Sequence, residues 1–541
     1  MIKKLITLFL TLGVAGSLAA APTVSYADTL YDEEKILNYL ENLTFSSAMT
    51  VNLLAILNSV VVASFNEREL STLPKGGIIM MLWYKFEFDH TVIDQILTLT
   101  QSLYKDSYFV VEMMDNHFIE KIQELLSNKN IDSDMVYHCI TIIDLLMYHS
   151  FFVEGITGKL LYKLIIEKAE VNIFNTKIID KSLSFIYKVI MSKKYNSTLA
   201  EEKHIDNLCI EIINKYMKTS HSHLLSKTLE IIINLINKQD NFVFFTSKKN
   251  FDILSTAFKN NLSSKEQILR HLNLIGFIGK KHIEMMKIDP TKADGINANY
   301  NFELICDIIS DIFSTYIEVF DIITLASEVI TNIYLITTTS EIKQSIIALL
   351  LQSGTKAVKK GKMDHIELIL QNTYDIIISE KNKKSYADGR SILYFINDVL
   401  KQMKINIQLL MKILDLIEKI MNEDIYKKPS TSQEIMKILS SIQSTPEFHN
   451  EMVLTSFSSI LSLIYENSKQ CSLIPNNFLI FIIQFVHDKS NDQSPHIQNQ
   501  LLKILTNAKT IAMYIVIEDK ENALSISKNL YKLFKLYKEN T

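Results

Sequence analysis

Five groups of residues in this 541-residue chain carry side chains that could do chemistry. Glu87, Asp89 and His90 place two carboxylates and an imidazole close together, near the only tryptophan, Trp83. Such a set can move protons if a third group and a pocket orient it. His221 and His223 supply two imidazoles, half of a zinc ligand set, with no cysteine or carboxylate beside them. Asp132 with Asp134, and the stretch from Asp289 to Asp294, are oxygen-rich in the manner of calcium loops. Neither has the alternating ligands and closing glutamate of an EF-hand. Lys356, Lys359, Lys360 and Lys362, with Lys381, Lys383 and Lys384 beyond, could meet an acidic partner or an anionic lipid. The cysteines Cys139, Cys209, Cys306 and Cys471 stand far apart without metal or redox spacing.

Each group also has a plainer reading. The first fits a polar helix end, the histidines and aspartates fit turns and helix caps, the lysines fit a solvated turn, and the cysteines fit buried free thiols. The chain has no Gly-rich phosphate loop, no Gly-x-Ser-x-Gly elbow and no paired-cysteine ligand set. The expectation is therefore a protein that is not an enzyme and that carries no cofactor and no metal.

The elements that must position these side chains are helices. With 48% hydrophobic residues, 12 glycines and 7 prolines, the chain has ample core formers and too few breakers for a many-stranded sandwich. One apolar pattern recurs five times: CITIIDL at 139–145, SLSFIYK at 182–188, TLEIIIN at 228–234, HLNLIGF at 271–277 and ASEVITN at 326–332. Their starts lie 43, 46, 43 and 55 residues apart. Each is preceded by another apolar helix, opening near Phe118, Leu160, Ile205, Phe251 and Phe302, and by a polar turn. A unit of helix, turn and helix cannot bury its apolar faces alone, so a period in the forties predicts a stacked α-solenoid. The long fifth interval is explained by an inserted loop at 289–299.

Helices are also expected at 31–43, 48–64, 78–88 and 91–104, and beyond 340 at 342–351, 366–378, 392–403, 407–420 and 453–465, with polar loops at 380–390, 428–432 and 488–495. The net charge is −4, and arginine occurs only at Arg68, Arg270 and Arg390. Arginine is the favoured reader of phosphates and guanine edges, so no nucleic-acid partner is expected. Lys3 and Lys4 followed by an apolar stretch and the small residues before Ala27 have the form of a secretory signal peptide. The mature protein is thus expected to be secreted or otherwise extracytoplasmic, with no membrane span after leader cleavage. An uncleaved anchor is the alternative.

The five segments resemble the third helix of armadillo repeats, whose pattern is small-Leu-Trp-Ala-Leu-Ser-Asn, and the helices before them resemble the armadillo second helix. The resemblance is clearest over 111–345 and implies an all-α fold, a right-handed α-solenoid of armadillo/HEAT-like repeats. Together with the leader, the expected organisation is a signal peptide at 1–27, capping helices at 28–110, armadillo-like repeats at 111–345, and divergent helical repeats with a C-terminal cap at 346–541. In that family the third helices line a concave groove that holds an extended partner peptide. The tryptophan-type positions here are Thr141, Ser184, Glu230, Asn273 and Glu328, and the asparagine-type positions are Leu145, Lys188, Asn234, Phe277 and Asn332. Two asparagines are kept and no tryptophan is. The implied function is an exported interaction scaffold for a partner protein or peptide. A chaperone cofactor resembling the armadillo-like nucleotide-exchange factors of secretory Hsp70 is the second expectation.

Overall fold

The structure, a computed structural model, describes residues 76–149, 159–191, 204–236, 239–289, 300–379, 389–402, 405–422, 429–468, 476–489 and 495–515, with isolated positions between 47 and 58 and between 528 and 535. The leader at 1–27, the helix expected at 31–43, the insertion at 290–299, Lys381, Lys383, Lys384 and Cys471 lie outside the described residues. Every regular element among the described residues is a helix. The chain divides into two compact units, 1–241 and 242–541, and the division falls inside the segment 111–345.

The first unit contains α1 (Gly76–Lys85), α2 (His90–Leu103), α3 (Ser107–Asp115), α4 (Phe118–Ser127), α5 (Ser133–Leu146), α6 (Lys159–Val171), α7 (Thr176–Met191), α8 (His204–Tyr216) and α9 (Ser222–Leu235). They form two rows. In row A, α2, α5, α7 and α9 pack successively side by side, and in row B, α4, α6 and α8 do the same, with α4, α6 and α8 packed on α5, α7 and α9 respectively. The reason is visible in α7. Ile178, Ile179, Leu183, Phe185, Ile186, Val189 and Ile190 are all buried and form one broad face, close to half of the helix surface at 3.6 residues per turn, which α5, α9 and α6 cover together. Each such side chain contributes roughly 1.5–3 kcal/mol when fully withdrawn from water, and only stacking on both sides achieves that.

After α10 (Gln239–Phe245), in which the division lies, the second unit repeats the arrangement. Its row B holds α11 (Lys248–Asn260), α13 (Phe302–Thr315), α15 (Ser340–Lys359), α17 (Gly389–Gln402) and α19 (Pro429–Gln443). Its row A holds α12 (Lys265–Ile288), α14 (Phe320–Ile336), α16 (Met363–Ser379), α18 (Ile407–Asn422), α20 (Glu451–Ser468) and α22 (Pro495–Ile515), with α21 (Asn476–Lys489) against α22. Successive helices of each row touch. All five matched segments lie in row A, on α5, α7, α9, α12 and α14.

The polar turns act as expected at several helix starts. Asp89 accepts from the backbone N–H groups of Thr91 and Val92, Asp106 from Tyr108 and Phe109, Ser264 from Gln267, and Asn301 from Leu304. Helix ends are closed by the next repeat. Tyr216 Oη donates to the Ile173 carbonyl (2.6 Å), Tyr316 Oη to that of Leu262 (2.7 Å) and Lys168 Nζ to that of Asn128 (2.8 Å). These carbonyls lie just past the ends of α6, α11 and α4, and the neighbouring repeat supplies a donor to each.

Two local expectations need correction. The helix expected to stop at 351 continues to Lys359, so Lys356 and Lys359 sit on its last turn and not in an open loop. The helix ends at Gly361, whose φ of 67° is the left-handed conformation that terminates helices. The loop expected at 428–432 instead contains the start of α19 at Pro429, a position that suits proline because its missing N–H would be unpaired there anyway.

Gly354 lies in the part of α15 beyond the expected end. A Cβ at this position would lie 2.5 Å from Phe395 Cζ and 3.2 Å from Ile369 Cγ2, so the glycine allows α15 to approach α17 and α16 closely. Gly354→Ala should lower stability by about 1–2 kcal/mol, the overpacking cost outweighing the better helix propensity of alanine. Urea unfolding monitored by circular dichroism checks this, and a neutral or stabilising result would contradict the close approach.

Candidate functional site

The ten positions implied by the armadillo resemblance occupy row A in pairs: Thr141 and Leu145 on α5, Ser184 and Lys188 on α7, Glu230 and Asn234 on α9, Asn273 and Phe277 on α12, Glu328 and Asn332 on α14. Packing exposes them unequally. Lys188 and Asn273 are exposed, Leu145, Ser184, Glu230, Asn234, Phe277 and Glu328 are half-buried, and Thr141 and Asn332 are buried. On α7 and α9 they lie within the one stripe that neighbouring helices leave uncovered: Lys177, Asp180, Lys181, Ser184, Tyr187, Lys188 and Met191 on α7, and His223, Lys227, Glu230, Ile233 and Asn234 on α9. The 3.6-residue period of a helix covered at its sides and behind, as α7 is by α5, α9 and α6, leaves such a stripe.

In the first unit this face is crossed by polar bridges from each helix to the next. Asp144, 4% exposed at the end of α5, accepts from Ser184 Oγ (2.9 Å) and from Lys188 Nζ (2.6 Å), and its backbone carbonyl accepts from the same ammonium (2.8 Å). Asp180 on α7 pairs with Lys227 of α9 (2.6 Å), with His223 Nε2 3.8 Å away. Asp94 on α2 lies 2.9 Å from His138 Nδ1 on α5. A buried carboxylate without such partners would be costly, which explains why Asp144 carries two donors.

In the second unit Lys280 of α12 pairs with Glu328 of α14. Asn332 packs its Cβ against Gly279, where an added Cβ would come within 2.9 Å, and its amide points at the Gly276 carbonyl at 3.5 Å. Asn234, by contrast, donates to the Glu230 carbonyl of its own helix (2.8 Å). Further along, Lys412 and Glu367 join α18 to α16 (3.6 Å), Ser459 and Glu418 join α20 to α18 (3.1 Å), and Thr455 and Gln500 join α20 to α22 (2.7 Å).

The other groups do not converge. Asp89 is spent on capping α2, Glu87 lies 3.7 Å from Lys121, His90 Nδ1 faces Met135 Sδ (3.2 Å), and Trp83 is buried edge-on against Phe118. His221 sets its ring against Tyr216 and His223 turns toward Asp180. Asp132 precedes α5 without a side-chain cap bond. Lys356 donates to Ser314 Oγ (2.8 Å), while Lys360 and Lys362 both clasp Glu318, whose carboxyl they pull down to about 2. Cys139, Cys209 and Cys306 are free, buried thiols, and burial pushes Cys306 up to about 12.

Residue-by-residue reading missed two carboxylates. Asp144 is the sixth residue of CITIIDL, and a lone acid amid apolar residues on a core helix was the available signal. Asp206, in the first turn of α8, is 5% exposed, and burial raises its carboxyl to about 7 while Asn241 donates to it at 3.3 Å. A carboxyl raised on folding favours the folded state at low pH, and that contribution is lost as pH rises from about 4 through about 7. Asp206→Asn keeps an acceptor for Asn241 and removes the charge. The variant should be more stable than the parent at pH 8, by on the order of 2 kcal/mol, with the gap closing towards pH 5. Thermal midpoints measured across that range test this; a pH-independent difference would contradict it.

No protein-family model matches the chain, and no curated protein matches it. Among solved structures, the chain is similar to one from work on a conserved phosphorylation switch that controls the interaction between cadherin and beta-catenin, with a TM-score of 0.50 and 11% identity over 93% of this chain and 99% of that one. A SYS-1/POP-1 complex (12% identity) and SYS-1 (11%) each reach a TM-score of 0.48 over 94% of this chain and 96% of theirs. Identity this low is a likeness of fold. The fold is an all-α solenoid of the armadillo/HEAT type.

Proposed function

We propose that this chain is an exported protein-interaction scaffold that holds a partner protein or extended peptide on the row A face of its repeats, through Leu145, Ser184, Lys188, Glu230 and Asn234 in the first unit or Asn273, Phe277 and Glu328 in the second, the buried Thr141 and Asn332 serving the packing. One observation carries the reading: successive row A helices lie side by side within each unit and leave a stripe of uncovered side chains at the same place on α7 and α9. A face assembled from repeated stripes suits recognition by many modest contacts, with affinity concentrated in a few of them. The likeness in fold to a structure from work on the interaction between cadherin and beta-catenin supports the same reading. The function is non-catalytic in this proposal. No helix among the described residues is long and apolar enough to cross a membrane.

Affinity capture from the native host tests the surface. A photo-cross-linking residue placed at Asn234 or Asn273 should trap a protein partner, and Asn273→Arg should reduce its recovery several-fold. Equal recovery by the variant, with no cross-link at either position, would remove the face from consideration. Recovery of an Hsp70-type ATPase would favour a chaperone-cofactor role instead.

Export follows from the leader-like start. N-terminal sequencing of the protein from its own host should read from Asp28, after a cut following Ala27. A chain in the cytosol that still begins at Met1 would contradict export.

A further inference from the structure

Two carboxyls of the first unit are almost equally buried and are held in opposite ways. Asp144, 4% exposed, has the ammonium of Lys188 at 2.6 Å. Asp206, 5% exposed in the first turn of α8, has a neutral partner instead: Asn241, near the start of α10, donates its amide to it at 3.3 Å. Among the described residues no cation pairs with Asp206, and the charged side chains of the helices packed on α8 are engaged elsewhere. On α6, Lys163 pairs with Glu167, Lys168 donates to the Asn128 carbonyl, and Glu170 lies towards His204 and Glu211 of α8. On α9, His223 and Lys227 turn to Asp180, His221 sets its ring against Tyr216, and Glu230 stands on the row A stripe. The titratable group beside Asp206 is Cys209, three residues on along the same helix face, a free thiol 1% exposed.

A protonated carboxyl is neutral and both donates and accepts hydrogen bonds, as an amide does, so it suits a site beside Asn241 that holds no cation. An ionised carboxylate at the same depth only accepts, and one amide does not offset its charge, so water must reach it. The part that can yield is the first turn of α10, a helix of 7 residues whose buried anchors, Phe242 and Phe245, lie beyond Asn241. α8 itself is fixed along its length by Leu208, Ile212 and Ile213, all buried. We infer that Asp206 is a proton-dependent latch: protonated, it keeps the first turn of α10 on α8 and Cys209 shut from water, and ionised, it lets that turn open so that the thiol can be reached. Burial holds the carboxyl up at about 7, so the closed form is favoured at low pH and that preference is lost as pH rises from about 4 through about 7. Opening of one turn while the rest stays folded is the ordinary low-cost end of local unfolding.

Cys209 reports the opening, and Cys139, buried in the same unit, is its control. The full chain is treated with a pyridyl disulfide, which labels thiols in both acid and neutral solution, and the rate at each cysteine is read by peptide mass spectrometry. Dividing the Cys209 rate by the Cys139 rate cancels the ordinary rise of thiol reactivity with pH. That ratio should rise at least about tenfold from about pH 5 to about pH 8. The charge on Asp206 opposes the Cys209 thiolate, so electrostatics without opening would move the ratio the other way. In Asp206→Asn, which still accepts from Asn241 and has no proton to lose, the ratio should change less than about twofold. Hydrogen exchange at the start of α10, corrected for its intrinsic pH dependence, should follow the same curve in the parent and stay flat in the variant. A rise shared equally by Cys139 and Cys209 would mean that the whole unit opens, and would overturn the latch. A rise that persists in Asp206→Asn, or no rise in the parent, would overturn it too.

Discussion

A helix hairpin of this chain has more apolar surface than its own two helices can cover, and that excess drives everything else in the structure. On α7 the buried positions fill one broad face, close to half of the helix surface, and the stripe from Lys177 to Met191 lies opposite it. Water is excluded from the flanks only when α5 lies on one side and α9 on the other, with α6 behind. Repetition is thus a solvation requirement, since each added hairpin covers its predecessor and presents the same uncovered flank to the next. The stripe that remains is the one surface the stacking rule leaves free, which is why any recognition by row A has to use it.

That surface is not wholly free. Several positions that a groove would use for a partner are engaged in holding repeats together: Ser184 and Lys188 with Asp144, Glu328 with Lys280, Asn332 against Gly279 and Gly276. Lys188 is exposed as well as bonded, so it can face a ligand while it holds α5. Asn332, at 8% exposure, is part of the contact between α12 and α14. The asparagine that looks most faithful to the armadillo pattern is therefore the one most absorbed by packing, whereas Asn273, which departs from the tryptophan of that pattern, is exposed.

What could be read beforehand follows from the range of the interaction concerned. Helix positions follow from a local period, so the starts near Phe118 and Phe302 and the row A segments were legible, and so was the period in the forties that joins them. The end of α15 and the start of α19 were expected elsewhere. Gly354 serves a close approach to Phe395 that no window of α15 contains, and Pro429 opens a helix instead of lying in a loop. The partner of Asp144 stands 44 residues away, and the division at 241/242 depends on which helices touch. Neither leaves a mark in the neighbouring residues.

The bridges between repeats are better understood as setters of register than as sources of stability. Exposed ion pairs contribute about 0–1 kcal/mol each, far less than the apolar side chains beneath them. Yet the partners are separated by 40 residues for Ser184 and Asp144, 47 for Lys227 and Asp180, and 45 for Thr455 and Gln500, close to the repeat length each time. Apolar contact between two helices tolerates sliding by a turn, because isoleucine or leucine meets another apolar side chain at either position. Asp144 does not tolerate it. Shifted by a turn, it would lose both donors while still buried, at a cost of several kcal/mol. A single placed carboxylate therefore selects one alignment of α5 on α7 from several that hydrophobic packing alone would accept. Because Ser184 and Lys188 stand on the stripe that the same alignment sets in line with Leu145, the device that fixes the stack also fixes the surface it presents.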